Sequence, residues 1–583
     1  MDEKQWIPKE DTLSATVVTR LTAHERDRLK TMAGKAHQSI GVLLKEQGMV
    51  NEEQINYALQ KQRVTGERLG ELFERLGFVS GYDVARMLAD QEALDFVDVR
   101  QIVPQEDALQ LFNMKQCLVE HFLPIRRDGD ELEVVCASTN LAHLRQIVLS
   151  RCGLRPRFTY GQRSEIHQTI RQYYFFLENP LESLLEKEIT LATSDVEMVR
   201  SLDTLLDHLL HLAVKYRATD IHIQPEEKSI HVSFRIDGVL RPILCMDRCL
   251  KRLVSTIKMK SGIDIAEQRL PQDGSFTENI LDHTYDLRVS TVVGMHGEAA
   301  VMRILKRDNA VKGFAELGFA DVDRVLLNRM FSQPSGMILL TGPTGSGKTT
   351  SLYAGLRSMN LLQKNVLTIE NPVEYQIPMA TQTEVNRRSG YSFEHAIMHF
   401  LRHDPDVMLV GEIRNIETAT TAVTAAETGH LVLSTLHVNS AYGVIPRLIS
   451  LGVSPHLLAD SLVGIINQRL VRTICGSCKT QYTASKEEQA YLGDDSIETL
   501  QRGVGCETCR GTGYVGRMPI YEAIGMAKGM PEMIVDGKSR SAFEALAEKN
   551  GFKSIFSMAV EQVAKGFVSV DEIKRVLGDD LRR

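Results

Sequence analysis

The chain has no apolar run near the ~18 residues a membrane-crossing helix needs, so no spanning segment is expected. It also lacks the basic, then apolar start of a secretory leader: MDEKQW is acidic, and a cytoplasmic location is the expectation. Basic excess is missing too. The net charge of −7 argues against a broad nucleic-acid surface. Nor is there a basic, aromatic-lined run of the kind a DNA-translocating ring would need. Nine cysteines in a reducing compartment read as thiols or metal ligands rather than disulfides. What remains is an ordinary soluble composition, and 583 residues are enough for four or more domains.

The most informative stretch is GPTGSGKTT, Gly342 to Thr350. It follows an apolar strand-like run, MILL, and precedes SLYAGLRSM with helical spacing at Leu352, Leu356 and Met359. Strand, glycine loop and helix are the context of a phosphate loop. Gly342, Gly345 and Gly347 let backbone N–H groups turn inward, beside Thr344, Ser346 and Thr350. Lys348 supplies a full charge at a helix N-terminus, and the Thr349 hydroxyl can hold Mg²⁺. The chain therefore binds a nucleoside triphosphate such as ATP. Downstream, Glu370 and Glu374 follow one predicted strand, Glu412 follows another, and His430 and His437 flank a third. Acidic residues at strand C-termini lie where parallel sheets bind ligands.

Upstream, residues 1–34 read as a polar tail. An internal repeat follows: Ser39–Gln62 and Arg68–Gln91 align without a gap, matching Gly41 with Gly70, Gly48 with Gly77, and Gln62 with Gln91. Each unit predicts a short helix, a glycine stop and a second helix. Residues 92–175 suit a small α/β unit, and the charged stretch 176–198 reads as a linker. Alternating strands then carry arginines at Arg217, Arg235, Arg241, Arg288 and Arg303; any one alone reads as solvated sheet-face charge, but several on one sheet could reach a triphosphate. Cys475 and Cys478 form one C-x-x-C knuckle and Cys506 and Cys509 another, 27 residues on. Four such thiolates fit tetrahedral Zn²⁺; an iron–sulfur cluster or a redox pair is the alternative. Cys117, Cys136, Cys152, Cys245 and Cys249 read as buried thiols, and the C-terminal stretch predicts short amphipathic helices.

Two resemblances organise these observations. The repeat closely resembles the tandem motif of the MshEN domain, whose two units clamp cyclic di-GMP. That resemblance implies contacts from Ile40, Gly41, Gln62, Arg68, Leu69, Gly70, Leu88 and Gln91; plain helix-on-helix packing is the other reading. Ser39 stands where the family's leading Arg belongs, and Lys45 where an aliphatic residue is preferred. From about residue 35 to the end, the chain resembles the type II secretion and type IV pilus assembly ATPases of the GspE/PilB family. The likeness rests on ATDIHIQP, FRIDG, QRLPQDG, GPTGSGKTT, TIENPVEY, DPDVMLVGEIRNIETA and TGHLVLSTLH, all in family order.

It implies a multidomain α/β protein. A helical-repeat plus α/β domain (35–175) precedes the linker (176–198) and a PAS-like α+β domain (199–310). A RecA-like parallel-sheet P-loop ATPase domain (311–470), a zinc-binding module (471–525) and a C-terminal helical bundle (526–583) complete the chain. It further implies Lys348, Glu370, Glu412, His430 and His437 as catalytic residues, with the four arginines gathered around the nucleotide. The implied assembly is a homohexameric cytoplasmic motor, peripheral to the inner membrane. It would act on an inner-membrane platform protein and a cytoplasmic adaptor to extend a pilus or pseudopilus. Asn371, Asn415 and Ser275 depart from the family's Asp, Asp and Arg; the two Asn predict slower turnover, because an amide without the carboxylate charge holds a metal-bound water less firmly. The same departures keep a rival in play: a catalytically weakened nucleotide- and cyclic di-GMP-sensing scaffold. The intact lysine, glutamates and histidines oppose it.

Overall fold

The computed structural model describes residues 40–138, 140–193, 198–307, 312–386 and 389–578, so the expected tail and Ser39 lie outside the described residues. The repeat forms α1 (Ile40–Glu46) and α2 (Glu52–Thr65), then α3 (Leu69–Arg75) and α4 (Gly81–Gln91). Its two units share backbone chemistry as well as letters. Gly48 and Gly77 both take left-handed φ, 69° and 74°, after the first helix of each unit. Asn51 and Ser80 then cap the second helices, each accepting the backbone N–H three residues on. The glycines at the head of each unit face the other unit: a Cβ on Gly41 would meet Leu69 at 3.5 Å, and one on Gly70 would meet Ile40 at 3.4 Å.

Three strands follow, β1 (Phe122–Asp128), β2 (Glu131–Cys136) and β3 (Arg155–Tyr160), with β2 central. The expected linker is corrected. It contains helix α5 (Leu181–Thr193), and Leu181, Leu185 and Ala192 are buried in the core of the next domain. Charged residues between these positions hid a helical stripe of apolar ones. Next come α6 (Met198–Lys215) and six strands: β4 (Ala218–Pro225), β5 (Ser229–Ile236), β6 (Val239–Asp247), β7 (Gln272–Ile280), β8 (His283–Gly294) and β9 (Gly297–Lys306). They pair antiparallel in the order β6-β5-β4-β9-β8-β7. Alternate residues of β5 are buried, as its sequence pattern requires of a half-covered sheet.

The largest sheet has seven strands in the order β12-β11-β13-β14-β10-β15-β18. Its members are β10 (Gly336–Thr341), β11 (Val366–Glu370), β12 (Ala380–Glu384), β13 (Val407–Val410), β14 (Leu431–Leu436), β15 (Leu462–Ile474) and β18 (Tyr514–Gly525). All neighbours are parallel except β15 with β18. Every residue of β10, β11, β13 and β14 is buried, which is why these strands are mostly apolar and show no in-out alternation. A small ribbon, β16 (Lys479–Thr483) with β17 (Thr499–Gly503), lies beyond the end of β15.

The expected C-terminal bundle is divided between the two faces of this sheet. After the phosphate-loop helix α7 (Lys348–Arg357), the last four helices described here are α8 (Met530–Val535), α9 (Arg540–Lys549), α10 (Ile555–Ala564) and α11 (Val570–Leu577). Phe543 and Ala547 of α9 join the core on one face; Met558 and Ile573 of α10 and α11 join that on the other. A sheet buried on both sides needs cover on both, and burying one residue such as Phe543 contributes about 2 kcal/mol. Among the described residues no helix is long and apolar enough to cross a membrane.

The domains meet through both polar and apolar contacts. Asp83 of α4 pairs with Arg357 at the end of α7 (3.3 Å), and Arg100 with Glu316 (2.6 Å). Pro378 lies 3.4 Å from the Cβ position of Gly77, so the second repeat unit sits on the segment that follows Glu374.

Candidate functional site

The phosphate loop leaves central strand β10 and enters α7, as its flanks predicted. Gly342, Gly345 and Gly347 have φ of 134°, 77° and 86°, conformations that only glycine adopts cheaply. Lys348 is buried, and its Nζ donates to the carbonyls of Gly342 (2.9 Å) and Pro343 (3.0 Å). Burial holds its pKa below the ordinary lysine value, opposed by the charge of Glu412. Glu412 follows β13, two strands from the loop, and lies 2.6 Å from Arg414 Nε and 3.6 Å from His437 Nε2. His437 follows β14, the parallel neighbour of β10. Lysine, carboxylate and imidazole thus gather at one edge.

Glu370 ends β11 on the same edge but is held differently. It is 3% exposed; Thr368 donates to its Oε1 at 2.7 Å, Gln382 donates at 3.2 Å, and the Tyr353 hydroxyl of α7 donates to its Oε2. Burial raises its pKa despite these donors, with Glu374 adding to the rise.

His430 is a correction. It precedes β14, its ring lies 3.0 Å from the Ala425 carbonyl, and its own carbonyl accepts the N–H of Gly336 at the start of β10. It stands at the opposite end of the sheet from the loop. The six-residue strand β14 separates it from His437, seven steps or about 23 Å at ~3.3 Å each. Asn415 is the second correction: its side chain accepts the N–H of Thr418 and caps the helix Ile416–Glu427. Asn and Asp serve equally as caps, so this position has a structural role that either residue fills.

On the antiparallel sheet, Asp220 pairs in register with Arg235 on one side and Arg303 on the other; Arg303 pairs with Arg288, and Arg288 with Ser275. One carboxylate serves two guanidiniums, with Arg303 Nε at 3.0 Å and Arg235 Nε at 3.8 Å. Arg288 reaches the other domain, 3.6 Å from Glu374. Two arginines directly opposite one another are unfavourable without a counter-anion. Arg217 does not join this row. It precedes β4 at φ 54°, and its charge acts instead on Arg510 of the cysteine module. Arg510 stacks on Tyr216 at 3.9 Å and donates to the carbonyl of Lys215 at 2.7 Å.

The four predicted sulfurs lie within 4.8 Å of one another, with separations of 3.8 Å (Cys475–Cys506) and 3.7 Å (Cys478–Cys509, Cys506–Cys509). A ZnS₄ tetrahedron with ~2.3 Å bonds has edges of about 3.8 Å, so the donor set fits zinc. Burial opposes ionisation of Cys509, yet the N–H groups of Cys506 and Gly513, each at 3.1 Å, hold its thiol down to about 6. Cys117 and Cys136 are buried as expected, whereas Cys245 and Cys249 are exposed.

In the repeat, Ile40, Gly41, Leu69 and Gly70 come together at the seam between units. Arg68 is exposed at the start of α3, Gln62 Nε2 is engaged by the Glu67 carbonyl at 2.9 Å, and Leu88 and Gln91 lie on α4. A cavity of about 510 Å³ opens instead between Leu326, Val463, Met526 and Phe552, beside the start of β15 and away from the loop; no candidate residue lines it. Sequence reasoning missed Tyr353, Gln382, Arg414 and Gln468. Arg414 sits inside the quoted GEIRN stretch and could have been found there; the other three lie outside the quoted motifs, and Gln468 is 122 residues from the loop carbonyl it contacts.

A glycine loop over a buried lysine, at the C-terminal edge of a parallel sheet with carboxylates from neighbouring strands, defines a P-loop ATPase domain within a multidomain α/β protein. Residues 195–575 match the family described as Type II/IV secretion system protein, and residues 92–178 match the MshEN domain. The chain belongs to the Type II/IV secretion system protein family. The MshEN match begins where the tandem repeat ends. Among its relatives, Type II secretion system protein E of Xanthomonas campestris pv. campestris is 34% identical over 557 residues, spanning 92% of this chain and 98% of that one. The Type IV pilus assembly ATPase PilB of Myxococcus xanthus is 32% identical over 555 residues, with the same two coverages, 92% and 98%. The X-ray structure of the Legionella pneumophila ATPase DotB aligns at a TM-score of 0.47 and 19% identity, covering 64% of this chain and 95% of that one.

Proposed function

We propose that the protein is a cytoplasmic ATP-hydrolysing motor that powers assembly of a type IV pilus or a type II secretion pseudopilus. The observation that carries this is the convergence of Lys348, Glu412 and His437 at the loop, with Arg288 of the antiparallel sheet reaching Glu374 from the facing domain. In this reading Lys348 would exchange its two carbonyl partners for phosphate oxygens, and Thr349 would hold a Mg²⁺ ion, which would supply charge neutralisation to the phosphates. Glu412 orients the attacking water, steered by Arg414 and His437. Glu370, closed in by neutral donors, anchors α7 through Tyr353. Arg235, Arg303 and Arg288 draw the PAS-like domain onto bound triphosphate and release it after hydrolysis, converting γ-phosphate contacts into domain motion.

The names of the relatives, a secretion system protein and a pilus assembly ATPase, support work within such a machine. In this reading the chain acts as a homohexamer, peripheral to the inner membrane, with an inner-membrane platform protein and a cytoplasmic adaptor. The cysteine cluster is a structural zinc site with all four positions filled by protein, and Arg510 ties it to the PAS-like domain. Cyclic di-GMP binds the N-terminal repeat through its Ile40–Gly41 and Leu69–Gly70 seam with Arg68, and regulates turnover.

The test is steady-state phosphate release by the purified chain with and without cyclic di-GMP, alongside its mass in solution and a zinc assay after chelation in denaturant. ATP turnover, a sixfold mass and one zinc per chain are expected. Nucleotide binding without turnover would instead favour the sensing scaffold.

A further inference from the structure

We propose that Gln468 is the positioning residue that locks the phosphate loop in its phosphate-binding conformation; the idea rests on reading that loop as the nucleotide site. Gln468 lies on β15, the parallel neighbour of β10, and is 2% exposed. Its Nε2 donates to the carbonyl of Ser346 at 2.7 Å, and its Oε1 accepts the hydroxyl of Ser351 on α7 at 2.7 Å. One amide therefore ties the last peptide of the loop to the first turn of the helix behind it. The backbone of the same residue underlies the loop's start: a Cβ on Gly342 would come within 2.3 Å of the Gln468 carbonyl, and one on Gly347 within 2.8 Å of its Nε2.

The physical need is specific. A loop that turns its N–H groups inward must turn its carbonyls outward, and a buried outward carbonyl needs a donor. The Ser346–Gly347 peptide can also rotate, because Gly347 tolerates either sign of φ. If it rotated, the Ser346 carbonyl would point at the phosphates and replace attraction with repulsion. Gln468 holds that carbonyl from below. Neighbouring Asn467 continues the brace, lying 3.2 Å from the Thr341 hydroxyl at the end of β10.

The two bonds are separable by mutation. Gln468→Met keeps the volume and removes both. Gln468→Glu keeps the acceptor for Ser351 but sets oxygen against the Ser346 carbonyl. Ser351→Ala removes only the second bond. Binding of a fluorescent ADP analogue and the kcat and KM for ATP are measured for each variant, with melting without nucleotide as the folding control. Gln468→Met and Gln468→Glu are expected to weaken binding at least tenfold and to raise KM more than they lower kcat, whereas Ser351→Ala stays within about twofold. A merely structural role would lower melting in proportion and leave the ratio of KM to kcat effects unmoved. Gln468→Glu binding as tightly as the parent overturns the proposal, and so does Ser351→Ala losing as much as Gln468→Met. If the parent chain binds no nucleotide, the loop reading fails instead.

Discussion

The two large sheets place their functional groups by different rules. In the parallel sheet, Lys348, Glu412 and His437 come from the connections after three different strands, Lys348 opening α7, and they meet because all those strands end at one edge. In the antiparallel sheet, Arg235, Arg303 and Arg288 sit within strands and meet because they occupy one register row. The first arrangement asks which end of a strand a residue occupies; the second asks which neighbour it faces. Each rule rejects one motif residue. His430 is at the wrong end of β14, and Arg217 precedes its strand and so stands outside the row.

The sharpest test of the parallel-sheet rule is Glu412→Gln. ATP turnover should fall on the order of 10²–10⁴-fold with nucleotide binding kept, the usual cost of losing a proton-handling carboxylate; unchanged turnover would show that the edge is not the reaction centre. The next comparison separates the two histidines. His437→Ala should cost roughly tenfold or more in kcat, as loss of a group beside the reacting charge does, while His430→Ala stays within about twofold. Equal losses would break the rule about strand ends.

Arg303→Ala and Arg217→Ala test the register rule in the same way. The first should raise KM for ATP roughly tenfold, because a charged contact to phosphate is lost; the second should leave KM within about twofold. A reversed order would mean the row does not face nucleotide.

The smallest effect concerns Glu370. Burial holds its folded pKa above the ordinary 4.5. The folded chain therefore keeps this proton to higher pH than the unfolded one. The stability it contributes is complete below about 4.5 and declines as pH rises through the raised value. Glu370→Gln should remove that decline, so melting of the variant relative to the parent rises with pH above 4.5; a flat difference would deny the shift.

Much of this was legible beforehand. The loop, the two cysteine knuckles and the apolar strands β10, β13 and β14 depend on local spacing, and spacing survives in a linear reading. The helix at Leu181–Thr193 was missed because charge masked three widely spaced apolar positions. The C-terminal helices were read as one bundle because amphipathicity shows that a face is buried, not which surface buries it. Asn415 read as a weakened metal site until its bond to Thr418 identified a helix cap.

Residue order alone determined that a triphosphate loop, four clustered thiols and a doubled helical unit exist in this chain, because each is built from neighbours a few positions apart. Tertiary structure decided which distant groups join them. Gln468 beneath the loop, Arg288 against Glu374 and Arg510 on Tyr216 are products of strand order and domain contact, and pairing across more than eighty residues leaves no local trace.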